Sequence, residues 1–169
     1  MPHPAALILA LLSLLLLVPT GAAAEERRPF SMVGSGVAGE VFDIGKLRGR
    51  VVMVFYWSTD CAVCRDKLPE LRQNLRGWKD KPFELVTVSL DRKEADWRNY
   101  ERLQSLTQAQ TVQRSHSLWA GAPGFRHSLE GRSPRLPLTL VLDGEGRVVQ
   151  RVEGRMAPEL WDEVAALLP

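Results

Sequence analysis

The sequence predicts an α/β domain built on a central mixed β-sheet flanked by helices, and three stretches carry that expectation. Val51 to Trp57 is a run of seven apolar or aromatic residues, too short for a globular helix and rich in β-branched and aromatic types. It reads as a strand buried on both faces. Phe83 to Leu90 alternates and then turns apolar, a second strand; the connection between the two is helical, so they should lie parallel with a right-handed crossover. Leu136 to Val149 reads strand, tight glycine turn, strand, an antiparallel hairpin that makes the sheet mixed.

The composition suits one globular domain: 169 residues, 45% hydrophobic and 25% charged. A net charge of +2, with Lys and Arg mixed among Asp and Glu, argues against a nucleic-acid or membrane-surface partner. From the start of the chain, Ala5 to Val18 is apolar apart from Ser13, and Ala22-Ala23-Ala24 precedes the charged Glu25-Glu26-Arg27-Arg28. That is the pattern of a secretory signal over residues 1–24, cleaved after Ala24, although the leader lacks Lys and Arg. An uncleaved membrane anchor is the alternative. Against it, 14 apolar residues at about 1.5 Å each fall short of a hydrocarbon core of roughly 30 Å. No cysteine follows the leader, which speaks against a lipid anchor, and the expected location is the periplasm.

Residues 25–40 read as linker and lead-in. Gly34, Gly36 and Gly39 lack the flanking strand, helix and Lys-Ser/Thr of a phosphate loop, so this glycine-rich stretch is expected to be a flexible loop. The domain proper is expected over residues 41–169, opening on the apolar pulse Val41-Phe42. After the strand at 51–57, any of Ser58, Thr59 and Asp60 is suited to cap a following helix, whose inward face carries Leu68, Leu71 and Leu75. Pro69 should kink that helix and Gly77 should end it. Asp91 is placed to cap a further helix with Trp97, Tyr100, Leu103 and Leu106 as its core stripe.

Residues 108–135 show little pattern. His116 and His127 share no helical face and no carboxylate cluster, so both are expected to be structural or exposed, and no metal site is expected. Trp119 and Phe125 either line a partner groove or enter the core. Pro158 to Leu168 closes the chain as an amphipathic helix.

The chemistry concentrates in the only two cysteines, Cys61 and Cys64, at the N-terminus of the first helix. Free N–H groups and the helix dipole favour thiolate there, and a second sulfur one turn away can resolve a mixed disulfide. A structural disulfide is the weaker reading, since so short a loop constrains the unfolded chain little. Half of a zinc site is weaker still, because no second cysteine pair exists.

Trp57-Ser-Thr-Asp-Cys-Ala-Val-Cys64, with Pro69 five residues on, resembles the active site of thioredoxin-like proteins, most closely the TlpA-like thiol-disulfide oxidoreductases of the bacterial cell envelope. The resemblance spans roughly Val41 to Leu168. It implies a thioredoxin-like fold, Cys61 as nucleophile, Cys64 as resolving thiol, no cofactor, and a protein partner carrying a disulfide or dithiol. A membrane protein as electron donor and a place in cytochrome c maturation belong to the same expectation. Pro137, Thr139 and Asp143 meet the family's Pro-x-Thr-x-x-x-Asp pattern, which makes Pro137 its cis-proline and assigns substrate contact to Trp57, Leu136 and Pro137. A trans proline opening a strand is the plainer alternative.

Three positions depart from the family. The buried aspartate of thioredoxin is replaced by Phe55, and a glutamate found in several relatives is replaced by Lys67. Asp60 stands where a tryptophan is usual; its charge opposes thiolate, while Arg65 and Lys67 favour it. Cys64 is therefore expected to lack a dedicated proton acceptor. Two rival functions stay open: a dithiol chaperone for Cu(I) or in haem maturation, and a thiol peroxidase, suggested by Thr59-Asp-Cys61.

Overall fold

A computed structural model describes residues 28–107, 115–129 and 134–169; the expected leader, residues 1–24, lies outside the described residues. In chain order the elements are β1 (Met32–Ser35), β2 (Val41–Asp43), a 3-10 turn (Ile44–Leu47), β3 (Val51–Trp57), α1 (Ala62–Gly77), β4 (Phe83–Ser89), α2 (Glu94–Thr107), β5 (Ser115–Trp119), β6 (Arg126–His127), β7 (Leu138–Leu142), β8 (Val148–Glu153) and α3 (Leu160–Leu167).

Five strands form one sheet in the order β5-β4-β3-β7-β8. β3 lies parallel to β4 and antiparallel to β7, β4 lies parallel to β5, and β7–β8 is the expected hairpin. All seven residues of β3 are buried, as are all seven of β4, because both strands have neighbours on each side and packed layers above and below. Alternation divides the sheet into two cores. Met53, Phe55 and Trp57 face Leu68 and Leu71 of α1, Trp97 of α2, and Leu160 and Val164 of α3. Val52, Val54 and Tyr56 face Phe30, Met32, Phe42 and Ile44. Two crossovers stepping the same way, β3 to β4 to β5, set α1 and α2 on one face. The opposite face is covered by a second, three-stranded sheet in the order β2-β1-β6.

That second sheet overturns the loop reading of the glycine-rich lead-in. Met32 to Ser35 is strand β1, paired with β2 on one side and with β6, more than 90 residues away, on the other. Glycine here allows close packing: a Cβ on Gly34 would stand 3.0 Å from the ring of Phe125. The stripe on α2 is also corrected. Trp97 is buried and Tyr100 half-buried, but Leu103 and Leu106 are 54% and 75% exposed, because the inward face of α2 continues through Glu101 and Gln104, which meet Arg72 of α1. α1 runs through Pro69 and ends at Gly77.

In the poorly patterned region, Trp119 packs against the helix-side core and gives its indole N–H to the Asp91 carbonyl at 2.8 Å. Phe125 packs against the opposite core. Both therefore serve the interior. His127 Nδ1 lies 2.7 Å from the Tyr56 hydroxyl, joining the small sheet to the large one. Burial pushes the Tyr56 phenol well above its ordinary range, opposed by Arg151, so the phenol keeps its proton in this contact. His116 lies 3.7 Å from the Glu84 carboxylate and stacks near Phe42.

Candidate active site

β3 ends at Trp57, and the chain turns through Ser58 to Cys61 before entering α1. The Cys61 N–H donates to the Ser58 carbonyl at 3.1 Å, which closes the turn, and the Arg65 N–H donates to the Cys61 carbonyl at 3.1 Å, which opens the helix. The helix cap differs from the sequence expectation. None of Ser58, Thr59 or Asp60 fills that role; Cys61 does, with extended backbone and its sulfur accepting the Cys64 N–H at 3.2 Å. The sulfur itself thus meets one of the free N–H groups at the positive end of α1.

Cys61 and Cys64 form a disulfide, S–S 2.05 Å. Its two sides are unequal: Cys64 is wholly buried in the helix-side core, whereas Cys61 is half-buried at the rim of that core. An incoming thiolate or disulfide therefore meets Cys61 first.

The Leu136–Pro137 peptide bond is cis. Tyr56 of β3 pairs with Leu138 of β7, so Pro137 and Leu136 lie at the end of β3 from which the cysteine turn departs. Pro137 is buried, with its carbonyl accepting from Gly154 N–H at 2.7 Å. Leu136 is half-buried and touches both cores, and among the described residues its own amide and carbonyl make no hydrogen bond.

Trp57 does not stand beside them at the surface. It is 0% exposed, packed on Tyr100 with ring centroids 4.5 Å apart, and its indole N–H makes no hydrogen bond among the described residues. The expected substrate contact of Trp57 is corrected to a packing role beneath the disulfide: odd-numbered residues of β3 point into the helix-side core, and Trp57 is one of them.

The charged neighbours divide by burial. Asp60 and Arg65 are exposed, so water and salt screen their effect on the sulfurs. Lys67 has a side chain only 12% exposed and bonds Glu70 at 2.8 Å. Glu70 also accepts the Trp161 indole N–H at 2.7 Å, tying α1 to α3. Burial pushes the Glu70 carboxyl up, but the bonds from Lys67 and Trp161 and the charge of Lys67 outweigh it and hold the group below its ordinary range. The i, i+3 spacing of Lys67 and Glu70 was the sequence signal for this pair.

Asp91 is the largest change from the sequence expectation. Its carboxylate accepts the Thr59 N–H at 2.8 Å, the Thr59 hydroxyl at 2.7 Å and the Ser89 hydroxyl at 2.7 Å. Rather than capping α2, it clamps the turn that delivers Cys61. This also commits the Thr59 hydroxyl that suggested a peroxidase. No local pattern announces the contact, because Thr59 and Asp91 meet only once β3 and β4 are paired. Among the described residues no group of three or more His, Cys, Asp or Glu is gathered closely enough to hold a metal ion.

Comparison with known proteins bears on the same residues. The family model described as "AhpC/TSA family" matches residues 28–159. The chain is similar to the thiol-disulfide oxidoreductase ResA of Bacillus anthracis, 21% identical over 76% of this chain and 69% of that protein. It is also similar to the thiol:disulfide interchange protein HelX of Rhodobacter capsulatus, 24% identical over 85% of this chain and 74% of that one. Among solved structures, a thiol:disulfide interchange protein of the thioredoxin family from Chlorobium tepidum superposes with a TM-score of 0.64 at 21% identity, covering 82% of this chain and 95% of that one. A secreted Mycobacterium tuberculosis disulfide oxidoreductase homologous to Escherichia coli DsbE gives 0.62 at 18% identity, covering 86% and 100%. The fold is thioredoxin-like.

Proposed function

Because this chain belongs to the AhpC/TSA family, we propose that it is a thiol-disulfide oxidoreductase of the TlpA-like kind, working on protein disulfides in the bacterial cell envelope. One observation carries the reading: the two cysteines form a disulfide at a helix N-terminus with one partner at the rim and the other sealed in the core.

In the reduced protein the Cys61 thiolate attacks one sulfur of a substrate disulfide, forming a mixed disulfide and releasing the other substrate sulfur as thiolate. Cys64 loses its proton and attacks the Cys61 sulfur; the intramolecular disulfide forms and the second substrate thiol leaves. Two electrons have passed to the substrate, and two protons accompany them. The unpaired amide and carbonyl of Leu136, beside Pro137, are positioned to hold an extended substrate segment as an added strand. Phe55 and Lys67 leave Cys64 without a carboxylate at either position used by relatives, so its proton goes to water or to a group on the partner.

The secretory pattern read in residues 1–24 supports the envelope location; there the pair stays oxidised unless a reductant, such as a membrane electron-donor protein, maintains the dithiol. Among the described residues no helix is long and apolar enough to cross a membrane. A role in cytochrome c maturation follows the resemblance to the TlpA-like proteins.

Equilibration of the purified protein with glutathione buffers tests the reading. Reversible exchange with a potential below about −230 mV fits a reductant, and a value near −120 mV fits an oxidant. No exchange, with tight Cu(I) binding or with hydrogen peroxide consumed through a Cys61 sulfenate, would replace the reading by a metal chaperone or a peroxidase.

A further inference from the structure

Asp91 is buried, 7% exposed, on the segment leaving β4. It meets the cysteine turn through two donors, the Thr59 N–H and the Thr59 hydroxyl, and bonds the Ser89 hydroxyl at the end of β4, while its own N–H donates to Ser89 Oγ at 3.1 Å. As a carboxylate Asp91 can accept all three of these bonds, and among the described residues no cation pairs with it.

The other charges on the segments meeting at this turn are differently placed. Asp60, Arg65, Asp66, Arg92 and Arg135 are exposed, and Lys67 is paired with Glu70. Exposed charges act through water and salt. The Asp91 charge acts through protein. Thr59 and Cys61 are two residues apart inside one closed turn, which puts the carboxylate on the order of 10 Å from the Cys61 sulfur.

We propose that Asp91 is a positioning residue for Cys61 and that its buried charge opposes thiolate there, biasing the Cys61–Cys64 couple toward the disulfide and so toward the reducing direction. The inference deepens the oxidoreductase reading and rests on it. The helix N-terminus favours the anion, and Asp91 counterbalances it. At about 10 Å and an effective dielectric near 20, one charge shifts an ionisation roughly tenfold.

The test is the equilibrium in which protein disulfide plus two glutathione gives protein dithiol plus glutathione disulfide. Two electrons and two protons pass from the glutathione thiols to the protein sulfurs. Asp91→Asn keeps the shape and the oxygen that Thr59 uses while removing the charge. A charge effect acts only on thiolate. On the acid side of the measured Cys61 alkylation midpoint wild type and variant should give the same constant; well above it the variant should favour the dithiol roughly tenfold, which is about 30 mV. The pH midpoint of Cys61 alkylation should fall with it. An equal shift at both pH values would mean a merely structural role, and coincidence at both would mean no role; either overturns the proposal.

Should Asp91→Asn not fold, Ser89→Ala removes one donor and leaves the charge less dispersed, so the alkylation midpoint should rise; a fall or no change contradicts the proposal. Wild-type protein that fails to exchange with glutathione at all would instead defeat the oxidoreductase reading itself.

Discussion

Thr139 should be more stable as valine. It sits in the middle of β7, opposite Phe55 of β3 and Val152 of β8, with 0% exposure. Its hydroxyl makes no hydrogen bond among the described residues. Leaving such a group desolvated and unpaired costs about 1–3 kcal/mol. Thr139→Val replaces the hydroxyl by a methyl of similar size, retains the β-branch that suits a strand and removes the orphan group. The expected gain is about 1–2 kcal/mol, a rise in melting temperature of roughly 2–8 °C for a domain of this size. Urea unfolding followed by tryptophan fluorescence measures it, with the midpoint raised and the slope unchanged. Thr139→Ala is the control: it deletes the methyl as well, and the loss of packing should cancel much of the gain. If Thr139→Val lowers stability by about 1 kcal/mol, the hydroxyl is satisfied and the reasoning fails.

Leu68, fully buried between α1 and the sheet, should cost about 2–5 kcal/mol as alanine, seen as a lower urea midpoint. A cost under about 1 kcal/mol would mean that α1 is not anchored through its inward leucines. His127 governs part of the acid response. Burial holds its imidazole below the ordinary value, so as pH falls below about 6.5 the unfolded chain takes up a proton before the folded one does. The contribution is intact above that pH and drains away as pH falls through the folded value. His127→Gln should flatten that part of the stability curve relative to wild type; parallel curves would contradict the assignment.

How much of this was legible in the sequence depended on how local the signal was. β3, α1, β4 and the β7–β8 hairpin announce themselves, because a run of seven apolar residues, a leucine stripe and a glycine turn each act within one segment. β1 did not, since Gly34 inside it and Gly36 just past it break the hydrophobic alternation, and its partners β2 and β6 only come together in three dimensions. β5 stayed hidden for a similar reason: of Ser115 to Trp119 only Leu118 is fully buried. The stripe on α2 misled because the apolar spacing picks Leu103 and Leu106, whereas the inward face is completed by polar contacts of Glu101 and Gln104 with Arg72.

The candidate site divides the same way. Cys61, Cys64 and Pro137 were readable from spacing and resemblance. Trp57 was assigned substrate contact by resemblance although it closes a strand that reads as buried on both faces. Asp91 was read as a helix cap because a cap is a local use for an aspartate; its partner Thr59 lies 32 positions away. A contact of that range is created by strand pairing and leaves no trace in either segment.

The asymmetry of the two cysteines is most directly tested by trapping. Reduced Cys64→Ser protein, mixed with a disulfide-bonded protein such as insulin and resolved by non-reducing electrophoresis and peptide mass spectrometry, should accumulate a mixed disulfide on Cys61. Cys61→Ser protein should accumulate almost none on Cys64. Adducts on Cys64 as abundant as those on Cys61, or none in either variant, would contradict the account.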